Sequence, residues 1–524
     1  MKRIFTLVLA LTMVLALNVT AFAAGPYTIT INNPEPGHTY EAYQIFAGDL
    51  ETVDGKTVLT NITWGNGVNA DEAQATFKDA AAKAAELTTE VKARDFANFI
   101  GNRKFNYLTN PTESTAGNGT YTIANLAPGY YLVKDKENTL TNEDAFYTLY
   151  MMKVVGNVTA EPKGGKPTLD KQIKNNNTGE WGVVGDHQIG DTVEFRTITT
   201  IYNPHGYGIY NKPGEGTYEI HDAMSDGLTS NVKTKSDIRI MVNDKTKLSE
   251  EFYEVTPEGN GFKLTIDVNS VVQYDPEVNT GDKLYTYYSG VLNADANVFD
   301  KGEEDNQAYL IWSNNAHDDT AYDENETGKS AVKKAYVWTY KMGINKVDEN
   351  GGQLTGAKFA LSKKSTLKVA DMNCDANGVP AVTTDLIGMV KVSEGEYRVA
   401  TAGDTNVVYV VDAGNAVIKG LDDIDYYLYE TKAPAGYNLL TKPVKFNISA
   451  AYNEDGSNYT GVTVTVDDGA PSNALSANVV NKSGSTLPET GGVGTTIFYA
   501  LGGLLVVGAG VILITRKRMG KSEN

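Results

Sequence analysis

The chain has 524 residues, 41% of them hydrophobic and 21% charged, with 51 Gly, 31 Tyr and a single cysteine, Cys374. At about 150 residues per domain, that length predicts about three domains, each able to bury a core of its own, and the composition excludes wholesale disorder, collagen and any intramolecular disulfide. A net charge of −19, from 65 acidic and 46 basic residues, repels phosphate backbones and anionic lipid, so a nucleic-acid partner is excluded.

Residues 1–23 read as a secretory signal peptide, with Lys2 and Arg3 at the start, an apolar run from Ile4 to Leu17, and Ala21-Phe22-Ala23 as the small-residue cleavage site before Ala24. The run is too short to cross ~30 Å of hydrocarbon as a helix, which weakens the reading of a membrane anchor. Beyond it, most of the chain reads as β. Short alternating runs at 27–31, 154–158, 263–267 and 461–466 lie between Gly, Asn and Asp clusters, predicting antiparallel sandwiches.

The exception is the Ala-rich stretch 69–105, where Phe77, Ala81, Ala84, Ala85, Val91, Phe96, Phe99 and Ile100 recur at roughly helical spacing. One or two helices are therefore expected on the sheet of the first domain. The Pro/Gly-rich stretch 161–167 and the acidic stretch from Asp318 to Lys329 mark boundaries. They divide the chain into a first domain over 24–162, a second over 163–335 and a third over 336–486. A weak repeat relates the first and third, because Leu126 to Asp135 parallels Leu421 to Glu430; with Tyr130-Tyr131-Leu132 set on Tyr426-Tyr427-Leu428, Lys134, the last step before Asp135, stands where the third domain has Glu430.

In the middle domain, Lys166 to Ile173 forms the opening, Tyr218 to Leu228 lies inside and Ala308 to Asn315 forms the close. These stretches resemble the D2 domain of Gram-positive backbone pilins. The resemblance implies Lys171 as a nucleophile, Asp222 as a promoting acid and Asn314 or Asn315 as the acceptor; alternation puts Leu310, Trp312 and Asn314 on one strand face, which favours Asn314. Read without it, Asp222 is equally a turn residue ahead of Gly227.

The third domain opens with Gly343 to Gly351 and Leu354 to Leu361, continues through Tyr427 to Tyr437, and closes with Ala477 to Asn481. It resembles the Cna-B-type domain of Gram-positive surface proteins, which implies that Lys346, Glu430 and Asn481 react to give a Lys-Asn isopeptide bond. The residue types suit that chemistry. Burial lowers a lysine pKa and raises a carboxyl pKa, so the amine can attack uncharged while the acid polarises the amide and moves protons. With Lys134 in place of the acid, the first domain, whose 29–33 and 37–46 stretches match the N-terminal module of the same family, is expected to form no such bond.

At the C-terminus, Leu487-Pro488-Glu489-Thr490-Gly491 precedes an apolar run from Ile497 to Ile514 and the basic cluster Arg516-Lys517-Arg518. This order resembles the cell-wall sorting signal of Gram-positive surface proteins. It implies that a sortase cuts between Thr490 and Gly491, passes the Thr490 carbonyl to an amine, and leaves the mature protein on the cell surface, linked to peptidoglycan.

Signal peptide, helix-bearing first domain, two further sandwiches and sorting signal together resemble a major (backbone) pilin of sortase-assembled pili. The expected partners are then sortase, identical subunits joined head to tail, minor pilins and peptidoglycan. Ala160-Glu161-Pro162-Lys163-Gly164 occupies the place of the family's Tyr-Pro-Lys-Asn-like motif, matching it at Pro162 and Lys163 only, so Lys163 is the expected acceptor amine and Lys166 the alternative. The alternative function is a monomeric or terminal wall-anchored adhesin that binds a host or matrix ligand. No hydrolase constellation stands out, and no cofactor is expected. Five His and one Cys offer no zinc spacing. His317, Asp318, Asp319, Asp323, Glu324 and Glu326 fit a solvated acidic loop better than a calcium site.

Overall fold

Alternation of apolar and polar residues gives each strand one buried face. The strand Tyr27–Asn32 buries Tyr27, Ile29 and Ile31, and Lys283–Leu292 buries Leu284, Thr286, Tyr288, Gly290 and Leu292. The computed structural model describes residues 25–101, 105–140, 142–162, 166–202, 218–268, 271, 278–279, 281–299, 302–314, 327–484 and 493–519. The signal peptide, Lys163, Asn315, the stretch 315–326 and the pentapeptide 487–491 lie outside them. The architecture is mainly β, with strands gathered along the chain into successive pairs of sheets.

In the first pair, a sheet containing Tyr27–Asn32 and Thr120–Leu126 faces one containing Tyr40–Val53, Gly129–Asp135 and Leu149–Val154. Ile29, Ile31 and Ile123 meet Tyr40, Tyr131 and Val133 in the core between them. The outer face of the second sheet is covered by three short helices, Ala70–Phe77, Ala80–Glu86 and Glu90–Gly101, where one or two were expected. The extra break falls at Lys78, which takes a positive φ of 63°, and the Asp79 carboxylate then caps the next helix by accepting from the Ala82 N–H at 2.8 Å. Phe96, Ala97 and Ile100 pack on Ile45, Phe46 and Leu132. A Cβ on Gly101 would come within 2.5 Å of Leu149 Cδ1, so a larger residue there would have to displace that side chain.

In the second pair, Thr168–Lys174, Thr192–Thr200 and Lys283–Leu292 run side by side in one sheet. Gly261–Ile266, Tyr218–Met224, Glu304–Ser313 and Lys333–Trp338 run side by side in the other. The third pair has Asn415–Leu421, Tyr340–Val347 and Ser476–Val480 in one sheet, with Ala357–Ser362, Asp425–Lys432, Val444–Tyr452 and Tyr459–Val466 in the other. The second and third pairs share one continuous apolar core.

Polar groups are enclosed where those two meet. The Asp186 carboxylate accepts from the Tyr340 and Tyr452 hydroxyls, Ile189 N–H donates to Gly420 O at 3.0 Å, and Trp338 Nε1 donates to Gly456 O at 3.4 Å. Burial, with the nearby Asp423 charge, pushes the Asp186 carboxyl up to about 8, and burial holds His187 down at about 4. The first unit meets the second through Tyr147 N–H to Asn314 O at 2.9 Å and Lys329 N–H to Glu143 O at 2.7 Å. At the far end, the helix Val493–Met519 is exposed, and its stretch Phe498–Arg518 is long and apolar enough to cross a membrane.

Candidate functional site

Two lysines are enclosed in β-sandwich cores, each in a buried group that also holds an acid and an asparagine. In the second unit, alternation along Thr168–Lys174 turns Leu169, Lys171 and Ile173 inward. Lys171 pairs with Thr197, which pairs in turn with Thr286, so Tyr288 reaches the same row from two residues further along its strand. The opposing sheet contributes Asp222, paired with Ala308, and Asn306, two residues from Ala308 on the same inward face. Lys171, Asp222 and Asn306 are 3%, 4% and 0% exposed.

Lys171 Nζ donates to Asp222 Oδ2 at 2.5 Å and also to the Tyr288 hydroxyl, which itself donates to Asp222 Oδ2. Asn306 Nδ2 donates to the Tyr288 oxygen at 3.4 Å. Asp222 Oδ1 and Asn306 Oδ1 are buried without hydrogen-bond partners. Desolvation lowers the Lys171 pKa against the pull of the Asp222 charge, and raises that of Asp222 against the pull of Lys171. Both shifts favour the uncharged pair, a free amine beside a protonated acid, which is the state from which an amine attacks a carbonyl carbon.

Asn314, the acceptor expected from strand alternation, is not part of this group. It follows the end of Glu304–Ser313, roughly 27 Å of extended chain from Asn306, and its carbonyl meets Tyr147 of the first unit. Asn306, Ala308, Leu310 and Trp312 share one inward face, with the parity that alternation assigned to Asn314. The position along that face is fixed by register with Tyr218–Met224, where Asp222 pairs with Ala308 and Tyr218 with Trp312. Asn306 had the same parity signal but lay outside the matched stretch. Nothing in the sequence marked Tyr288 out among 31 tyrosines.

In the third unit, Lys346 lies on Tyr340–Val347 beside Val479 in a parallel pair, which carries Asn481 to the same inward row just beyond Ser476–Val480. Glu430 enters from the facing sheet on Asp425–Lys432. The three side chains are 0%, 0% and 1% exposed in the order Lys346, Asn481, Glu430. Asn481 Nδ2 donates to Glu430 Oε2 at 3.0 Å and to Asn438 O at 2.8 Å. Leu440 N–H donates to the same Glu430 oxygen at 2.8 Å, and Lys346 Nζ donates to Val479 O at 2.8 Å. Burial lowers the Lys346 pKa and raises that of Glu430, the interaction between their charges opposing each shift. Glu430 Oε1 and Asn481 Oδ1 are again buried without partners.

In the first unit, Lys134 pairs with Glu137 at 2.8 Å near the surface. The buried polar groups there, among the described residues, are Asn33, His38, Glu41, Gln44, Asp135 and Thr148, with no lysine. Of the two lysines expected as acceptor amine or its alternative, Lys166 is ion-paired with Asp144 and lies 3.7 Å from Glu35 Oε1, while Lys163 is outside the described residues.

Residues 340–463 match the SpaA family of prealbumin-like fold domains, and residues 479–519 match the LPXTG cell wall anchor motif. The trypsin-resistant surface T6 protein of Streptococcus pyogenes serotype M6 is 25% identical over 346 residues, covering 58% of this chain and 61% of that protein. The type 1 fimbrial subunit of Actinomyces viscosus is 26% identical over 444 residues, covering 77% of this chain and 76% of the relative. The chain is a pilin-like surface protein with a cell wall anchor.

Matched length is under two thirds of the T6 protein. Among solved structures, the T6 backbone pilin of S. pyogenes covers 88% of this pilin-like chain and 99% of its own at 17% identity and a TM-score of 0.47. The major pilin SpaD of Corynebacterium diphtheriae gives 87%, 98%, 18% and 0.43 in the same order. In the pilin-like chain, Lys346 and Glu430 fall inside the prealbumin-like match, and Asn481 falls inside the anchor match.

Proposed function

We propose that this protein is the shaft subunit of a covalently polymerised surface pilus, fixed to the wall by sortase and stiffened by two internal isopeptide bonds, Lys171–Asn306 and Lys346–Asn481. The observation that carries the reading is the burial of each lysine in the same core as one acid and one asparagine. Buried titratable groups in mutually neutralising pairs are costly unless they have a task. In each reaction the neutral amine attacks the asparagine Cγ, a C–N bond forms, the carboxyl hands a proton to the departing nitrogen and takes up the surplus proton of the amine, and ammonia leaves. Enclosure in the folded core supplies the orientation, for which effective molarities reach ~10⁵ M or more. Each protein turns over once, on itself, and is otherwise a structural subunit.

Placement of the bonds suits a load-bearing rod. Lys171 and Lys346 lie on the strands Thr168–Lys174 and Tyr340–Val347, early in their units, and Asn306 and Asn481 lie late, so tension passing along the chain crosses covalent ties before it reaches the sheets. Sortase would cut after Thr490 and transfer the acyl group to Lys163 of the next subunit, head to tail, with minor pilins and peptidoglycan as further acceptors. The pairing of Lys166 with Asp144 and Glu35 supports Lys163 as the free amine. An immunoblot of boiled cell-wall extract tests the whole reading. A high-mass ladder is expected, whereas one monomer-sized band would make the protein a wall-anchored adhesin.

A further inference from the structure

We propose that the Tyr288 hydroxyl is the proton relay of the Lys171–Asn306 linkage, performing in the second unit what the longer acid Glu430 performs unaided in the third. The inference rests on the reading above that the linkage forms. In the third unit the carboxylate touches the leaving amide itself, Asn481 Nδ2 lying 3.0 Å from Glu430 Oε2. In the second unit the acid is an aspartate, one methylene shorter, and the Tyr288 hydroxyl is hydrogen-bonded to both its Oδ2 and the Asn306 amide. The phenol bridges acid and amide. It accepts from Lys171 Nζ, donates to Asp222 Oδ2, and lies 3.4 Å from Asn306 Nδ2, so one oxygen adjoins the nucleophile, the acid and the leaving group.

The sequence of proton moves balances. As Lys171 Nζ bonds to Asn306 Cγ, Asp222 gives its proton to the oxyanion that develops at Asn306 Oδ1, both Oδ1 atoms being otherwise without partners; the surplus proton of Nζ then passes to the Tyr288 oxygen while the phenolic proton passes to the Asp222 carboxylate so formed. A planar amide nitrogen has no lone pair to offer, so at first Nδ2 only donates to the phenol. Once Cγ is tetrahedral, Nδ2 becomes basic, Tyr288 turns from acceptor to donor, and Asp222 returns its proton to the phenol. The C–Nδ2 bond then breaks, the proton on Oδ1 returns to Asp222 as the carbonyl re-forms, and ammonia departs. Tyrosine and acid both end as they began. Burial and the adjoining Asp222 charge raise the Tyr288 pKa well above its usual value, which keeps the phenol in the protonated form the relay needs.

The test is cell-free synthesis of the full chain, quenched in acid at intervals across the neutral pH range, with tryptic mass mapping of both linkages. Tyr288→Phe should slow formation of the Lys171–Asn306 linkage by at least ~10-fold, as removal of a proton-transfer group does, and change its pH profile. Lys346–Asn481 should form in the same molecules at the wild-type rate. Equal rates and pH profiles in Tyr288→Phe and wild type would overturn the proposal. Fluorotyrosine placed at 288 covers the case in which Phe loosens the core. It keeps the shape and raises the acidity of the phenol, so a relay predicts an altered rate, whereas an unaltered rate means that the ring only packs. Absence of the linkage in the wild type would instead sink the underlying reading.

Discussion

Replacing Glu430 with glutamine should leave the third unit folded, unlinked and markedly less stable. Glutamine keeps the volume of the acid and one carbonyl oxygen for the Leu440 N–H, but it cannot carry a proton between Lys346 and Asn481. Lys346 remains tolerable without the bond because it keeps a partner, donating to Val479 O, and burial lowers its pKa. Linking Lys346 to Asn481 closes a loop of about 135 residues, which the chain-entropy account values at about 5 kcal/mol. The glutamine oxygen in the place of Oε2 accepts from both Leu440 N–H and Asn481 Nδ2, so the lost link is the main cost. For a unit of this size each kcal/mol lowers Tm by roughly 3 °C, so a fall of about 15 °C is expected. Scanning calorimetry reads the fall, and tryptic mass mapping reads the loss of the linkage. A Lys346–Asn481 linkage that persists in Glu430→Gln would refute the role of the acid; a lost linkage with Tm lowered by only a few degrees would refute the mechanical one.

Other outcomes follow from the same geometry. Intact mass of the folded ectodomain should fall short of its sequence mass by two ammonia molecules; Asn306→Ala should restore one of them and Asn314→Ala none. Lys163→Ala should abolish the wall ladder while Lys166→Ala keeps it, and the reverse pattern on the blot would move the acceptor by three residues. The junction of the second and third units should lose stability as pH rises. With a folded pKa of about 8 against roughly 3.9 when unfolded, Asp186 binds more protons folded, so its contribution is complete below about pH 4 and fades up to about pH 8. Asp423, raised to about 6, acts in the same direction at lower pH, and His187, held at about 4, acts in the opposite direction below its unfolded value. Above about pH 6.5 the decline therefore belongs to Asp186 among these groups, and calorimetry of Asp186→Asn should show a flatter Tm between there and pH 8.

Sequence alone determined what depends on local pattern. Alternation gave the mainly β architecture, and helical spacing over 69–105 placed helices in the first unit, because both periodicities are written in neighbouring residues. The pentapeptide at Leu487, the apolar run behind it and the basic end are likewise contiguous signals, and they carried the surface address. Helix count was less legible, since it turned on the backbone at Lys78 and the cap at Asp79. Composition could say nothing of which asparagine meets Asp222. Parity narrowed the choice to one strand face, but Asn306 rather than Asn314 lies beside the acid because Glu304–Ser313 is registered against Tyr218–Met224 by hydrogen bonds distant in sequence. Tyr288 joins the group from 66 residues beyond Asp222, across the interface between two sheets. The altered ionisation of both lysines and both acids is decided there as well. It arises from exclusion of water by the assembled core, and no segment of the chain can bring that about by itself.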